Sequence, residues 1–283
     1  MNPKELVARV NNLPPASPAA IQLITLLNHR SVSNDDVVQV IRQDSVLTAK
    51  LLRACNSSQF AFEEPISSVD QAVFVLGHQE ILRRVLTLTL GQAMVAPLPG
   101  YAVEANELWE HSLTTALAAE RVVTGEVGLI ASSGTAFTVG LLHDIGKLVL
   151  GQALTREAQS EIRGLIQQGA ASRVEAEKKI LGTDHAEVGA HLLQLWRLPE
   201  DIVEAVAHHH QPVLDPRPRL SVVAHLANCL AHLSGSAPGW EAYAVRVSDE
   251  VIAAFEITPE KLEGMVIAVR EWSERMHQVI DWA

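Results

Sequence analysis

The sequence predicts an all-α protein, a multi-helix bundle without a sheet, and three observations carry that reading. Apolar residues recur at three-to-four spacing almost throughout the chain. No alternating run of β-branched residues lasts long enough for a strand. Residues suited to helix starts, Ser, Asp and Pro, precede the early periodic stretches. With 283 residues, 48% hydrophobic and 19% charged, the chain has material for one large domain or two modest ones.

Taken in order, Ser17 and Pro18 offer a cap and a first-turn proline for a helix whose apolar residues Ile21, Ile24, Leu26 and Leu27 recur at three-to-four spacing and which stops near His29. Ser33 starts the next helix. Its hydroxyl accepts from free amides, Asp35 and Asp36 favour the positive end of the helix dipole, and Val37, Val40 and Ile41 face the core. Asp44 caps a third helix, SVLTAKLLRACNSS, and Ser67 or Ser68 a fourth. The stretch SSVDQAVFVLGHQEILRRVLTLTL reads as helix, Gly77, helix, the outline of a helix-turn-helix. Its second half offers only Arg83 and Arg84 before apolar and Thr positions, so packing accounts for it better than DNA reading.

The run APLPGYAVEA, residues 96–105, breaks the helical pattern with two prolines and a glycine. Beyond it the pattern resumes with a long helix around ELWEHSLTTALAAERVV, the stretch LLHDIGKLVL, and a polar helix near 155–170. Two histidine-bearing helices follow, around 173–196 and 199–210, and DPRPRL at 215–220 forms a second joint. Three amphipathic segments with Trp240, Trp272 and Trp282 complete the chain, the tryptophans serving as core anchors or a docking surface. The first break separates an N-terminal helical part (1–100) from a helical core (101–232), and residues 233–283 form a C-terminal extension that packs back as extra helices or forms a homodimer contact. No internal repeat is visible.

Charge and composition narrow the partners. The formal net charge is −11, from 22 basic against 33 acidic residues, which argues against nucleic acid as the main partner because such binding begins with basic surface. No apolar stretch reaches the roughly 18 residues of a spanning helix, and the first residues lack a signal-peptide core, so the expectation is a cytoplasmic protein without membrane contact. Cys55 and Cys229 lie in apolar helical contexts, where buried reduced thiols are expected.

The histidines constrain the chemistry. Seven of twelve lie between positions 185 and 232. Glu107 and His111 stand four apart on one helix face, His143 and Asp144 are adjacent, and Lys147 returns to the face of His143 one turn later. His185 heads an amphipathic helix, while His209 and His210 close another before Pro212. One or two ligands from each of several packed helices suit a divalent transition metal such as Fe, Mn, Zn or Ni, with Lys147 beside it as a cation for an anionic oxygen. The alternative at His143 and Asp144 is a buried polar pair that ties helices together, and Glu107 read alone is a solvated partner of a basic side chain. His29, His78, His191, His208, His225, His232 and His277 read as ordinary core or surface residues.

The order His111, His143-Asp144 with Lys147, His185, His209-His210 resembles the HD superfamily of metal-dependent phosphohydrolases. Together with LPPASPAAIQLITLLN, VVQVIRQDSVLTAKLLRACNSSQF and HAEVGAHLLQLWRLPEDIVEAVAHHHQP, it is similar to the HDOD family, the HD-related output domain of bacterial signalling proteins, over roughly residues 10–232. The resemblance implies an N-terminal helical subdomain packed on an HD-like core. Compared with HD-GYP phosphodiesterases, it carries over Glu107, His111, His143, Asp144, His185, His209 and His210 as metal ligands and Lys147 as a phosphate contact. The chain departs from those enzymes in running HHHQPVLDPRPRL without a glycine-rich GYP loop, and in holding Asn228 where they place a last aspartate ligand. The resemblance therefore implies a non-catalytic signalling module that binds other signalling proteins and keeps a degenerate metal site with Asn228 as a weak ligand. A metal-dependent phosphohydrolase using Asp144 and Lys147 is the alternative.

Overall fold

The computed structural model describes residues 2–10, 17–28, 32–56, 65–125, 131–169, 172–214, 219–239 and 245–277. Over these residues the chain is α-helical, and its one strand-like feature is an isolated bridge between Leu98 and Val103.

The N-terminal helices are α1 (Pro3–Ala8), α2 (Pro18–Leu27), α3 (Asn34–Arg42), α4 (Ser45–Cys55) and α5 (Val69–Met94). Local chemistry sets their starts. Ser33 accepts from the Asp36 amide while Asp36 reaches back to Ser33, a full capping box; Asp44 accepts from Leu47, and of the two serines it is Ser68 that caps α5, accepting from Gln71. Ser17 differs from expectation. Pro18 sits in the first turn of α2, but the Ser17 hydroxyl makes no capping bond. In α2 Ala19, Ala20, Leu23 and Ile24 are buried, and Ile21, Leu26 and Leu27 pack partly covered against the core. A short helix that is apolar on most sides does not declare its inner face, and packing on α3 and α5 chooses it. In α3 the inward set is Val37, Val38 and Ile41, with Val40 half-buried. Gly77, at φ 74, breaks α5 where the sequence places it. His29 lies outside the described residues.

A short 3-10 turn (Pro99–Tyr101) leads into α6 (Glu107–Gly125), α7 (Ser133–Leu142), α8 (Ile145–Ala153), α9 (Arg156–Gln167), α10 (Arg173–Leu181), α11 (His185–Leu195), α12 (Glu200–Ala207) and α13 (Leu220–Leu233). The single helix expected over 173–196 is two, because the chain turns at Gly182 and restarts with Asp184 capping α11 through the Glu187 amide. The helix expected over 199–210 ends at Ala207, leaving His208 to His210 in a turn. Residues 215–218 of the second joint are not described.

The C-terminal helices α14 (Asp249–Ala254) and α15 (Pro259–His277) follow, and α15 packs on α6 and α13. Trp272 is 46% exposed there, while Trp240 and Trp282 lie outside the described residues. One continuous apolar core runs from Leu6 to Val269 and contains Cys55 and Cys229 as free thiols. Burial raises the pKa of both thiols, that of Cys229 to about 12, so neither is a ready nucleophile.

Candidate metal centre

The stretch LLHDIGKLVL folds as the end of α7, a two-residue turn and the start of α8. His143 is the residue that caps the end of α7 and Asp144 the one that caps the start of α8, so both side chains project from the junction into the bundle. Small residues permit this. A Cβ on Gly140 would lie 2.6 Å from Ala116 Cα in α6, and one on Gly146 would lie 1.9 Å from the His185 carbonyl oxygen in α11. Backbone-to-backbone contact thus brings His111, His143, Asp144 and His185 to one place.

Asp144 is the hub. Its Oδ2 lies 2.8 Å from Lys147 Nζ, 3.4 Å from His143 Nε2 and 3.6 Å from His111 Nε2. Its Oδ1 lies 3.3 Å from His185 Nε2 and 3.9 Å from His209 Nε2. Two ligand triads result, His111–His143–Asp144 and His185–His209–His210, each with donor atoms within 4.8 Å of one another. Asp144, Lys147, His111, His143, His185 and His209 are at most 2% exposed, and His210 alone is half-buried.

The outer ring of contacts fixes which nitrogen faces inward. Nδ1 of His111, His143 and His209 lies 2.7, 2.7 and 2.8 Å from the carbonyl oxygens of Ser236, Gly140 and Val206. A carbonyl only accepts, so Nδ1 carries the proton and Nε2 is left as a ligand lone pair. His185 Nδ1 donates instead to buried Glu177 at 2.7 Å, and Glu177 also accepts from the His185 amide and the Tyr101 hydroxyl.

This arrangement fits a bound cation. His111 Nε2 faces His143 Nε2 at 3.2 Å, and His185 Nε2 faces His210 Nε2 at 2.8 Å. Two lone pairs at such distances repel unless a proton or a metal lies between them. Among the described residues His209 Nε2 is buried without a hydrogen bond, and Asp144 Oδ1 has only the imidazoles of His185 and His209 near it, at 3.3 and 3.9 Å. Protons are a poor substitute at most positions. Burial holds His111, His209 and His210 well below the usual imidazole range, reinforced by His232, His143 and His209 respectively. His185 is the exception: burial opposes its charge, but Glu177 and Asp144 outweigh burial and push it up to about 10. For Asp144, burial works to raise the pKa, and His143 with Lys147 outweighs it, so the carboxyl is held well below its ordinary range.

The other predicted residues divide. Glu107 stays apart from the cluster, its Oε2 accepting the Glu104 amide at 2.8 Å at the start of its own helix. Asn228 is buried on α13 with Oδ1 unpartnered among the described residues. It lies between His225, whose Nδ1 donates to the His209 carbonyl at 2.9 Å, and His232, whose ring lies 4.6 Å from that of His111. Sequence reading placed both of these histidines among ordinary residues and missed Glu177 and Tyr101. RVEAEKKI reads as a solvated polar helix, and nothing in its pattern marks one glutamate as fully buried.

Comparison with known proteins places this site in context. The HDOD domain model matches residues 13–212. An uncharacterized protein of Treponema pallidum (strain Nichols) is 27% identical over 244 residues, which cover 81% of this chain and 44% of that protein. The chain thus spans less than half the length of that relative. An HDOD domain protein of Geobacter sulfurreducens superposes with a TM-score of 0.69 at 24% identity, covering 98% of this chain and 94% of the other. A candidate signal transduction protein of Marinobacter aquaeolei VT8 gives a TM-score of 0.75 at 23% identity, over 94% and 59%. Both structures share the fold.

Proposed function

The chain belongs to the HDOD domain family, and from that premise we propose that it is a non-catalytic signal-transduction module whose buried histidine–aspartate centre holds a divalent transition metal. The observation that carries the reading is burial. A hydrolase must bring a phosphoester against its metal ligands, yet six of the seven cluster residues are at most 2% exposed and Lys147 is spent on Asp144 at 2.8 Å. The donor set of imidazole nitrogens with one carboxylate favours iron, manganese, zinc or nickel over calcium or magnesium. Bound there, the ion supplies a cross-link, contributing folding free energy to the helices and turns that carry its ligands, α8, α11 and the turn after α12 among them.

The partners on this reading are other signalling proteins. Net charge of −11 disfavours nucleic acid, and among the described residues no helix is long and apolar enough to cross a membrane. Phe74, 80% exposed, with Val46 and Val75, gives the N-terminal part apolar surface suited to a protein contact, and the C-terminal extension offers a homodimer contact as the alternative. The cytoplasm is the compartment consistent with two free, buried thiols.

A second reading, metal-dependent phosphohydrolase, draws on one feature: two triads on opposite oxygens of one carboxylate. The two are separated by metal analysis of tag-free protein followed by phosphodiesterase and phosphomonoesterase assays with manganese or iron. Bound metal without turnover supports the signalling module. Turnover abolished by Asp144→Ala overturns it.

A further inference from the structure

The two triads differ in charge. Behind the His185–His209–His210 triad stands the Glu177 carboxylate, fully buried and bonded to His185 Nδ1 at 2.7 Å, so that a full negative charge lies one imidazole away from any ion held there. Behind the His111–His143–Asp144 triad stand neutral backbone carbonyls, those of Ser236 and Gly140. In front of it lies the Lys147 ammonium, 2.8 Å from the Asp144 oxygen that this triad contributes. A second dication there must compete with a resident cation for the same oxygen.

Hydrogen bonding points the same way. In the first triad only two inward imidazole nitrogens meet, those of His111 and His143 at 3.2 Å, so one shared proton relieves their repulsion, and Lys147 closes Asp144 Oδ2. In the second, three imidazoles converge with Asp144 Oδ1, and the His185–His210 contact at 2.8 Å still leaves His209 Nε2 buried without a partner. One proton cannot satisfy three inward nitrogens. A polyvalent cation can.

We infer that the protein holds one divalent ion tightly, in the His185–His209–His210 half with Asp144 Oδ1, and that Lys147 occupies the charge position of a second ion on Asp144 Oδ2. This rests on the metal-binding reading above and adds to it that the centre is mononuclear at limiting metal. Lys147 is then an internal counter-ion rather than a group presented to substrate.

The test is equilibrium dialysis of chelator-stripped, tag-free protein against Co2+ or Mn2+, with bound metal counted by mass spectrometry and the cobalt visible spectrum followed in parallel. Wild-type protein is expected to bind one ion per chain, a second binding at least ~100-fold more weakly, the order that opposite unit charges a few ångström away impose at an interior dielectric. His210→Ala should lose the tight ion and its spectrum, and His143→Ala should keep both. Lys147→Met should bring the second ion within reach, taking stoichiometry from one to two at the same free metal. Two wild-type ions of similar affinity, loss of the tight ion in His143→Ala but not His210→Ala, or a Lys147→Met protein still holding one, would each overturn the inference while leaving metal binding intact. No ion in the wild type would overturn the metal-binding reading and the inference together. The wild-type stoichiometry needs no variant, so misfolding of any substitution does not blunt the test.

Discussion

Replacing Gly146 by alanine tests the packing that builds the centre. The added methyl would sit 1.9 Å from the His185 carbonyl oxygen and 2.7 Å from the Gly189 amide nitrogen, both backbone atoms that no rotamer change can move. Ordinary van der Waals contact needs roughly 3.3–3.5 Å, so α8 must shift from α11 by more than about 1 Å, carrying Asp144 away from His185. Overpacking of this kind costs about 1–3 kcal/mol, and the rigidity of both partners places it near the upper end, a fall of roughly 6 °C in melting midpoint for a chain of this size. Gly164→Ala in α9 is the control. Nothing lies within 4 Å of its added methyl, and replacing a helical glycine there should stabilise by about 0.5–1 kcal/mol. Thermal and urea unfolding of the pair, with metal content measured alongside, checks both. A Gly146→Ala protein within about 0.5 kcal/mol of wild type and with unchanged metal would refute the α8–α11 contact as described.

Further outcomes follow from the same geometry. Glu177→Gln should weaken metal binding by about 10–100-fold in a chelator competition, because His185 loses a charged outer partner, and unchanged affinity would remove Glu177 from the site. Glu177→Ala should destabilise the fold by about 3–5 kcal/mol in urea unfolding, since the His185 ring and amide and the Tyr101 hydroxyl lose a common acceptor. Without metal, stability should be greatest at about pH 6.5 and fall on either side of it. His111, His209 and His210, lowered in the folded state, stabilise above the unfolded value of about 6.5 and lose that contribution as pH falls, whereas His185, raised to about 10, stabilises below 6.5 and loses its contribution as pH rises through 10. A melting midpoint of chelated protein that climbs steadily from pH 5 to 10.5 would contradict this. Stripping a loaded sample at free metal 100 times Kd should cost about 2.7 kcal/mol, read as a drop in midpoint, and a chelator-insensitive melt would exclude a folding role for metal.

Much of the framework was legible because it is local. Ser33 with Asp36, Asp44 with Leu47, and Ser68 with Gln71 lie three residues apart, within the reach of a cap. Gly146 was visible inside HDIGK, though its purpose, contact with the His185 carbonyl, was not. The break at Gly182 was not legible, because helical content is too continuous over 173–196 for periodicity to mark it.

Sequence alone determined the helical class, most helix starts and the order in which His111, His143-Asp144, His185 and His209-His210 follow one another along the chain. The class and the starts depend on interactions spanning three or four residues. Only the tertiary structure decided that one aspartate faces two triads, that Lys147 turns inward onto it, and that Glu177 and the Ser236 carbonyl hold the imidazoles of His185 and His111. The Ser236 contact joins residues 125 positions apart and that of Tyr101 with Glu177 joins residues 76 apart. Such pairings are set by how packed helices cross, and a difference of one ångström in that crossing decides which of several similar polar side chains finds a partner.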